Sequence, residues 1–174
     1  MFIKQVLPVA VLLLLIPAVS FGQTNVYQRG TQEFTITGSG SSDEEIDNTF
    51  LALNVSYGKF MDQNLEWVIK QEITFNDVAG ASDFNGSTRG GVDYHFGSGP
   101  MVPLVGITVG YIYGDNIDEQ FTLGPDVGVK YFVNDTTFVY GLIEYEILFD
   151  DAEEVDEVYD DGRFIYGVGL GFTF

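Results

Sequence analysis

From residue 33 to residue 174 the chain keeps changing sides, with apolar and non-apolar residues alternating in one stretch after another. The closing stretch is the plainest. Tyr166, Val168, Leu170, Phe172 and Phe174 hold one parity, while Gly167, Gly169, Gly171 and Thr173 hold the other. A period of two belongs to a strand with unlike faces, and no window carries the 3.6-residue period of an amphipathic helix. The alternation predicts eight strands, over approximately 33–40, 48–60, 64–76, 84–97, 101–114, 120–133, 136–149 and 162–174. The breaks between them alternate as well. "MDQN", "GSGP" and "VNDT" read as tight turns, whereas "SGSSDEEID", "NDVAGASD", "GDNIDEQ" and "DDAEEVDEVYDDG" are longer and acidic. Along the chain they run long, short, long, short, long, short, long. That is the order required of an eight-stranded up-and-down barrel with both ends of the chain on one rim, so the expected fold class is all-β and antiparallel.

Charge decides which parity points inward. Lys70, Arg89, Lys130 and Arg163 lie on the polar parity, as do Glu66, Glu72, Asp93, Asp126, Glu144 and Glu146. The opposite parity is nearly free of charge, as in Leu65, Trp67, Ile69, Ile73 and Phe75 of the third strand. Its aromatics also sort by height. Tyr57, Trp67, Tyr94, Phe96, Tyr131, Phe172 and Phe174 lie near the short turns, and Phe75, Tyr111, Tyr113, Phe121, Phe149, Phe164 and Tyr166 near the long loops. Val55, Ile69, Val92, Ile107, Val127, Ile143 and Val168 fill the band between. Two aromatic girdles around an aliphatic belt describe a lipid-facing surface. A soluble barrel would have to pack all those rings into an eight-stranded interior barely wide enough for side chains. The reading is therefore a transmembrane β-barrel.

The first 22 residues fit export. Lys4 precedes the apolar run "VLPVAVLLLLIPAV", and Ser20 and Gly22 supply small residues ahead of a cut before Gln23, with a cut after Ser20 as the alternative. The run is interrupted by Pro8 and Pro17 and is short for a membrane-spanning helix, which needs about 20 apolar residues. The expected organisation is a signal peptide over 1–22, a short periplasmic segment over 23–32 and the barrel over 33–174. The absence of Cys excludes disulfides and thiolate zinc sites, and a formal net charge of −19 argues against nucleic acid as a partner.

At this point the chain resembles the small eight-stranded outer-membrane barrels of Gram-negative bacteria, the class of OmpX and of the membrane domain of OmpA. In that class the last strand carries an assembly signal of the form polar-x-Gly-x-x-aromatic-x-aromatic. Gly169, Phe172 and Phe174 match it, while Gly167 occupies the polar position. The resemblance implies an outer-membrane location, recognition by the barrel assembly machinery, contact with outer-membrane lipid and lipopolysaccharide, and a monomer.

Two clusters are candidate sites. The first is the lumen network of Glu66, Lys70, Glu72, Arg89, Asp93, Asp126, Lys130, Glu144, Glu146 and Arg163. It reads as an ion path, or as a polar core in which each charge has a partner; an eight-stranded barrel leaves almost no bore, which favours the core. The second is the run of acids in the long breaks, densest at Asp150, Asp151, Glu153 and Glu154. Hard oxygen ligands in excess suit weak capture of calcium or magnesium, though the spacing matches no EF-hand; the plainer reading is a solvated rim. His95, the single histidine, falls on the lumen parity and lacks the partners of a hydrolase, so no catalytic residue and no cofactor is expected. The glycines of "GSGS" and "GVGLG" open no helix and form no phosphate cradle; those at 167–171 are expected to make room for bulkier neighbours across the lumen. The functional expectation is a non-enzymatic barrel with a plugged lumen and a structural, adhesive or envelope-stabilising role, its loops open to an external partner. The alternative is a narrow channel or carrier for small solutes.

Overall fold

The computed structural model describes residues 27–42, 49–78, 81–97, 99–115, 119–149 and 162–174. Eight antiparallel strands, β1 (Gln32–Ser42), β2 (Thr49–Phe60), β3 (Leu65–Val78), β4 (Ala81–His95), β5 (Met101–Gly114), β6 (Gln120–Phe132), β7 (Thr137–Phe149) and β8 (Gly162–Thr173), close into one barrel in chain order. Alternation is what makes this closure possible, since each strand presents one set of side chains inward and the other outward. In β5 the lumen set Val102, Leu104, Thr108 and Ile112 is buried, and Val105, Ile107 and Val109 between them are exposed.

The tight turns at the near rim are closed by side chains that stand in for backbone. Asp62 Oδ1 accepts from the amides of Asn64 and Leu65, both at 2.8 Å. Asn134 Oδ1 plays the same part for Thr136 and Thr137, at 2.9 and 2.8 Å. Asx residues hold such turns because a short side chain carries the acceptor back to the amides two and three residues on. The N–H donors beside it hold the Asp62 carboxyl below the usual carboxylate range. Gly97 adopts a φ of 87°, in the left-handed region that favours glycine.

One break differs from its expectation. The segment 76–83 was expected to be a long loop, yet β3 and β4 continue in register through Asp77↔Ser82 to Val78↔Ala81. Polar residues on both faces end a membrane-embedded strand but not a strand standing in water, so the hairpin simply rises above the apolar belt.

The outward face is apolar around the barrel except along the far half of β1, where Gly38, Gly40 and Ser42 take the outward positions. Val168, Tyr166, Phe121, Val109, Val127 and Ile69 are all at least half exposed. Ring contacts sort into two tiers, Tyr57–Trp67 and Tyr94–Phe96 near the short turns, Tyr111–Phe121 and Phe164–Tyr166 near the other rim. A continuous apolar belt of this extent is not left bare in water by a monomeric protein; flanked by aromatic tiers it is the surface of a transmembrane barrel.

Candidate functional site

The lumen is stratified. At the near rim lies an aromatic plug of Tyr27, Phe60, Phe132 and Phe138, with Val102 buried in the same cluster. Tyr27, which precedes β1, stacks on Phe60 with ring centroids 3.9 Å apart and 14° between planes. Phe60, Phe132 and Phe138 hold the lumen parity at strand ends, so the plug comes from aromatics on the otherwise polar face.

Directly above sits Lys130, 4 % exposed. Its ammonium bonds Glu33, lies 3.4 Å from Glu66 Oε2, and donates to His95 Nε2 at 2.9 Å. His95 Nδ1 faces the carbonyl of Asn64 at 3.3 Å. Lys130 has only protons to give, so Nε2 accepts and Nδ1–H donates to Asn64, which assigns the neutral Nδ1 tautomer from the network. The same ammonium lies over the Phe138 and Tyr27 rings, at 5.3 and 5.7 Å from their centroids, within cation–π reach.

The next layer is ionic. Lys70 Nζ bonds Asp126 Oδ2 at 2.7 Å and reaches Glu144 Oε2 at 3.5 Å. Arg89 contacts Glu72 at 3.1 Å, Glu144 at 3.2 Å and Glu146 at 3.7 Å. Thr108 donates to the other oxygen of Glu144 at 2.6 Å. These carboxylates need room that a side chain would take. A Cβ on Gly106 would collide with Asp93 and Asp126, and one on Gly124 with Glu144. At the far mouth Arg163 donates through Nε to Glu146 at 2.6 Å, with its side chain 46 % exposed.

The ten residues of the expected network all point into this space, but they do not form one cluster. Lys130 and Glu66 belong to the lower group with Glu33, His95 and Tyr27; Lys70, Arg89, Asp126, Glu144 and Glu146 form the upper one. Nor does every polar atom have a partner. Asp93 Oδ1, Asp126 Oδ1, Glu146 Oε1 and Arg89 Nε are buried without a hydrogen bond. Parity determines which side chains enter the lumen, whereas the stagger of the strands determines which of them meet. Glu33 was open to the same parity argument, since it alternates with Thr35 and Thr37 on β1. Tyr27 carries no such signal. Of the glycines at 167–171, Gly169 and Gly171 do make room, against Thr37, Tyr140 and Phe138, but a Cβ at Gly167 would meet nothing within 4 Å.

The closing residues sit on the near rim. Phe172 and Phe174 are exposed on the outward face, and Phe174 exchanges both backbone hydrogen bonds with Gln32 at 3.0 Å. Asp150, Asp151, Glu153 and Glu154 lie outside the described residues, as do 1–26.

Strand number, closure, the apolar belt with its aromatic tiers and the filled lumen define the small eight-stranded outer-membrane β-barrel. Solved structures with this fold include the N-terminal β-barrel domain of OprF from Pseudomonas aeruginosa (TM-score 0.57, 16 % identity, 84 % of this chain and 98 % of that one). OprG from the same organism is similar at a TM-score of 0.59 and 12 % identity, over 85 % of this chain and 97 % of that one. Neisserial surface protein A has a TM-score of 0.50 and 15 % identity, over 82 % and 94 %. No family model matches the sequence, and no curated protein is similar enough to count as a relative. At these identities the likeness establishes the fold and leaves the role to the chemistry of this chain.

Proposed function

We propose that this is a non-enzymatic barrel of the Gram-negative outer membrane whose lumen is plugged, serving the envelope as a structural or adhesive element with its acidic breaks on the outer side. The observation that carries this is the lumen filling: a buried aromatic plug, the Lys130 ammonium on top of it, and a layer of buried ion pairs above. A hydrated ion travelling the axis would have to displace all three. Both ring nitrogens of His95 are engaged, by Lys130 and Asn64, which supports the absence of a catalytic base there.

Planar-bilayer recording tests it. The purified protein is expected to give no discrete conductance steps, and Tyr27→Ala/Phe138→Ala, which removes two plug rings, is expected to introduce them. Discrete steps from the unaltered protein would overturn the plugged reading in favour of a narrow channel. An envelope-stabilising role predicts periplasmic leakage in a deletion strain, aggravated by divalent chelation.

A further inference from the structure

The two halves of the β1–β8 seam are unlike. Near the rim the strands pair from Glu33↔Thr173 to Ile36↔Leu170, continued below by Gln32 and Phe174. Among the described residues, beyond Ile36 β1 pairs only with β2, as far as Ser42↔Thr49, and β8 only with β7, as far as Gly162↔Ile147. Continuing the register would set Ser39 opposite Gly167, and that pairing is not made.

This unpaired stretch starts in the apolar belt at Val168 and rises through the far aromatic tier at Tyr166 and Phe164; these outward residues of β8 are 74 %, 73 % and 61 % exposed. On β1 the outward positions are Gly38, Gly40 and Ser42, so this edge offers no apolar side chain to acyl chains. Open backbone edges facing lipid are costly and tolerated only where they line a cavity. Such a cavity is present. It has a volume of about 170 Å³, and both seam edges line it, through Ser39 and Gly167. Leu53 and Tyr166, of outward parity, line it together with the lumen residues Asp93 and Leu104. A space bordered by side chains of both parities passes through the wall. A Cβ at Gly167 would meet nothing within 4 Å, so open space lies on the lumen side of this edge.

We propose that the far half of the β1–β8 seam is a lateral portal, and that the cavity behind it takes a small amphiphilic amine from the bilayer, a single ring or short chain bearing an ammonium group. A cavity of this size accepts one benzene-sized body. Leu104 and Leu142 supply apolar wall. Asp93 Oδ1, buried and without a hydrogen bond, supplies an acceptor for the ammonium. Lys70, Arg89 and Lys130 also line the cavity, but Glu33, Glu66, Glu72, Asp93 and Glu144 outnumber them, which favours a positive guest over a negative one. The aromatic plug closes the near-rim end of the lumen below the cavity. The proposal stands whether or not the lumen conducts.

The probe is 4-fluorobenzylamine, followed by fluorine NMR with the protein in lipid nanodiscs and empty nanodiscs as the reference. Saturable binding above the reference is expected. Asp93→Asn should weaken it by roughly ten-fold, the loss of one charge-assisted contact, while leaving the uncharged 4-fluorotoluene unchanged. Gly167→Phe, which fills open space and should fold, is expected to abolish exchange. Ser39→Cys/Gly167→Cys, in a chain with no other cysteine, should lose exchange on oxidation and regain it on reduction. Where that disulfide does not form, Gly167→Phe decides. Binding equal to empty nanodiscs, or exchange as fast in Gly167→Phe or the oxidised pair as in the unaltered protein, overturns the portal. An unchanged affinity in Asp93→Asn overturns the amine.

Discussion

Replacing Arg89 by Met tests whether the upper lumen layer is held dry by its ion pairs. Arg89 is 1 % exposed and touches three carboxylates. Removing one partner of a buried pair generally costs 3–5 kcal/mol, since it strands the other charge. Here the three carboxylates lose unequally. Glu144 keeps Lys70 and Thr108, Glu146 keeps Arg163, and Glu72 has a side chain 24 % exposed that retains water. The lower end applies, about 3 kcal/mol. With a urea slope of about 2 kcal/mol per M, the unfolding midpoint should fall by about 1.5 M at unchanged slope. Trp67, the only tryptophan, reports the transition by fluorescence in detergent micelles or liposomes. Arg89→Met/Glu144→Gln should recover part of the loss, because it reduces the excess of buried negative charge left by Arg89 while Lys70 keeps Asp126. A single variant that unfolds at the wild-type midpoint would refute the pairing argument and indicate a lumen wet enough to solvate its own charges.

Phe174→Ala should lower the amount of barrel assembled in cells well before it lowers stability, because an exposed outward ring at the rim contributes within about 0.5 kcal/mol; membrane yield and the midpoint of refolded protein separate the two, and normal yield counts against an assembly signal. The amides of Asn64 and Leu65 hold the Asp62 carboxyl low, so its stabilisation of the turn is present above the unfolded carboxylate pKa and lost as pH falls through the depressed folded value. A carbon-detected NMR titration of Asp62 should show that midpoint below the ordinary Asp range, and Asp62→Asn, which keeps the acceptor, should abolish this part of the pH dependence. Calcium should bind the 150–161 segment weakly, at roughly 10⁻⁴–10⁻³ M, with saturable amide shifts lost when Asp150, Asp151, Glu153 and Glu154 become amides; shifts matched by sodium would return the segment to a solvated acidic rim.

Strand number, order and facing were legible in the sequence because alternation, break length and the parity of the charges are all local features of the chain. Parity also delivered Lys70 and Asp126 to the same interior. It gave no hint that they would meet, because they stand 56 residues apart on β3 and β6 and are brought level only by strand stagger. Phe60, Phe132 and Phe138 went unread for the opposite reason: as aromatics on the polar face they broke the pattern that identified everything else. The short β1–β8 pairing did leave a trace in "TGSGSS", where the apolar half of the alternation stops after Ile36. Composition alone made that stretch look like a loop approaching.

The contact between Lys130 and Glu33 joins residues 97 positions apart, and that between Thr37 and Tyr140 spans 103. Loop closure of that length is slow, and the reward arrives only after the entropy has been spent. While the sheet is still an open ribbon, its charged face is wet and its cations have few of their final partners. Dehydration of that face, docking of Tyr27 and meeting of first and last strands therefore coincide in a single event. A chain stalled one strand short would hold a hydrated, acidic face against the membrane, unable to settle there. The pairing of the interior charges is thus expected to favour the chain whose first and last strands have met over one that stops short.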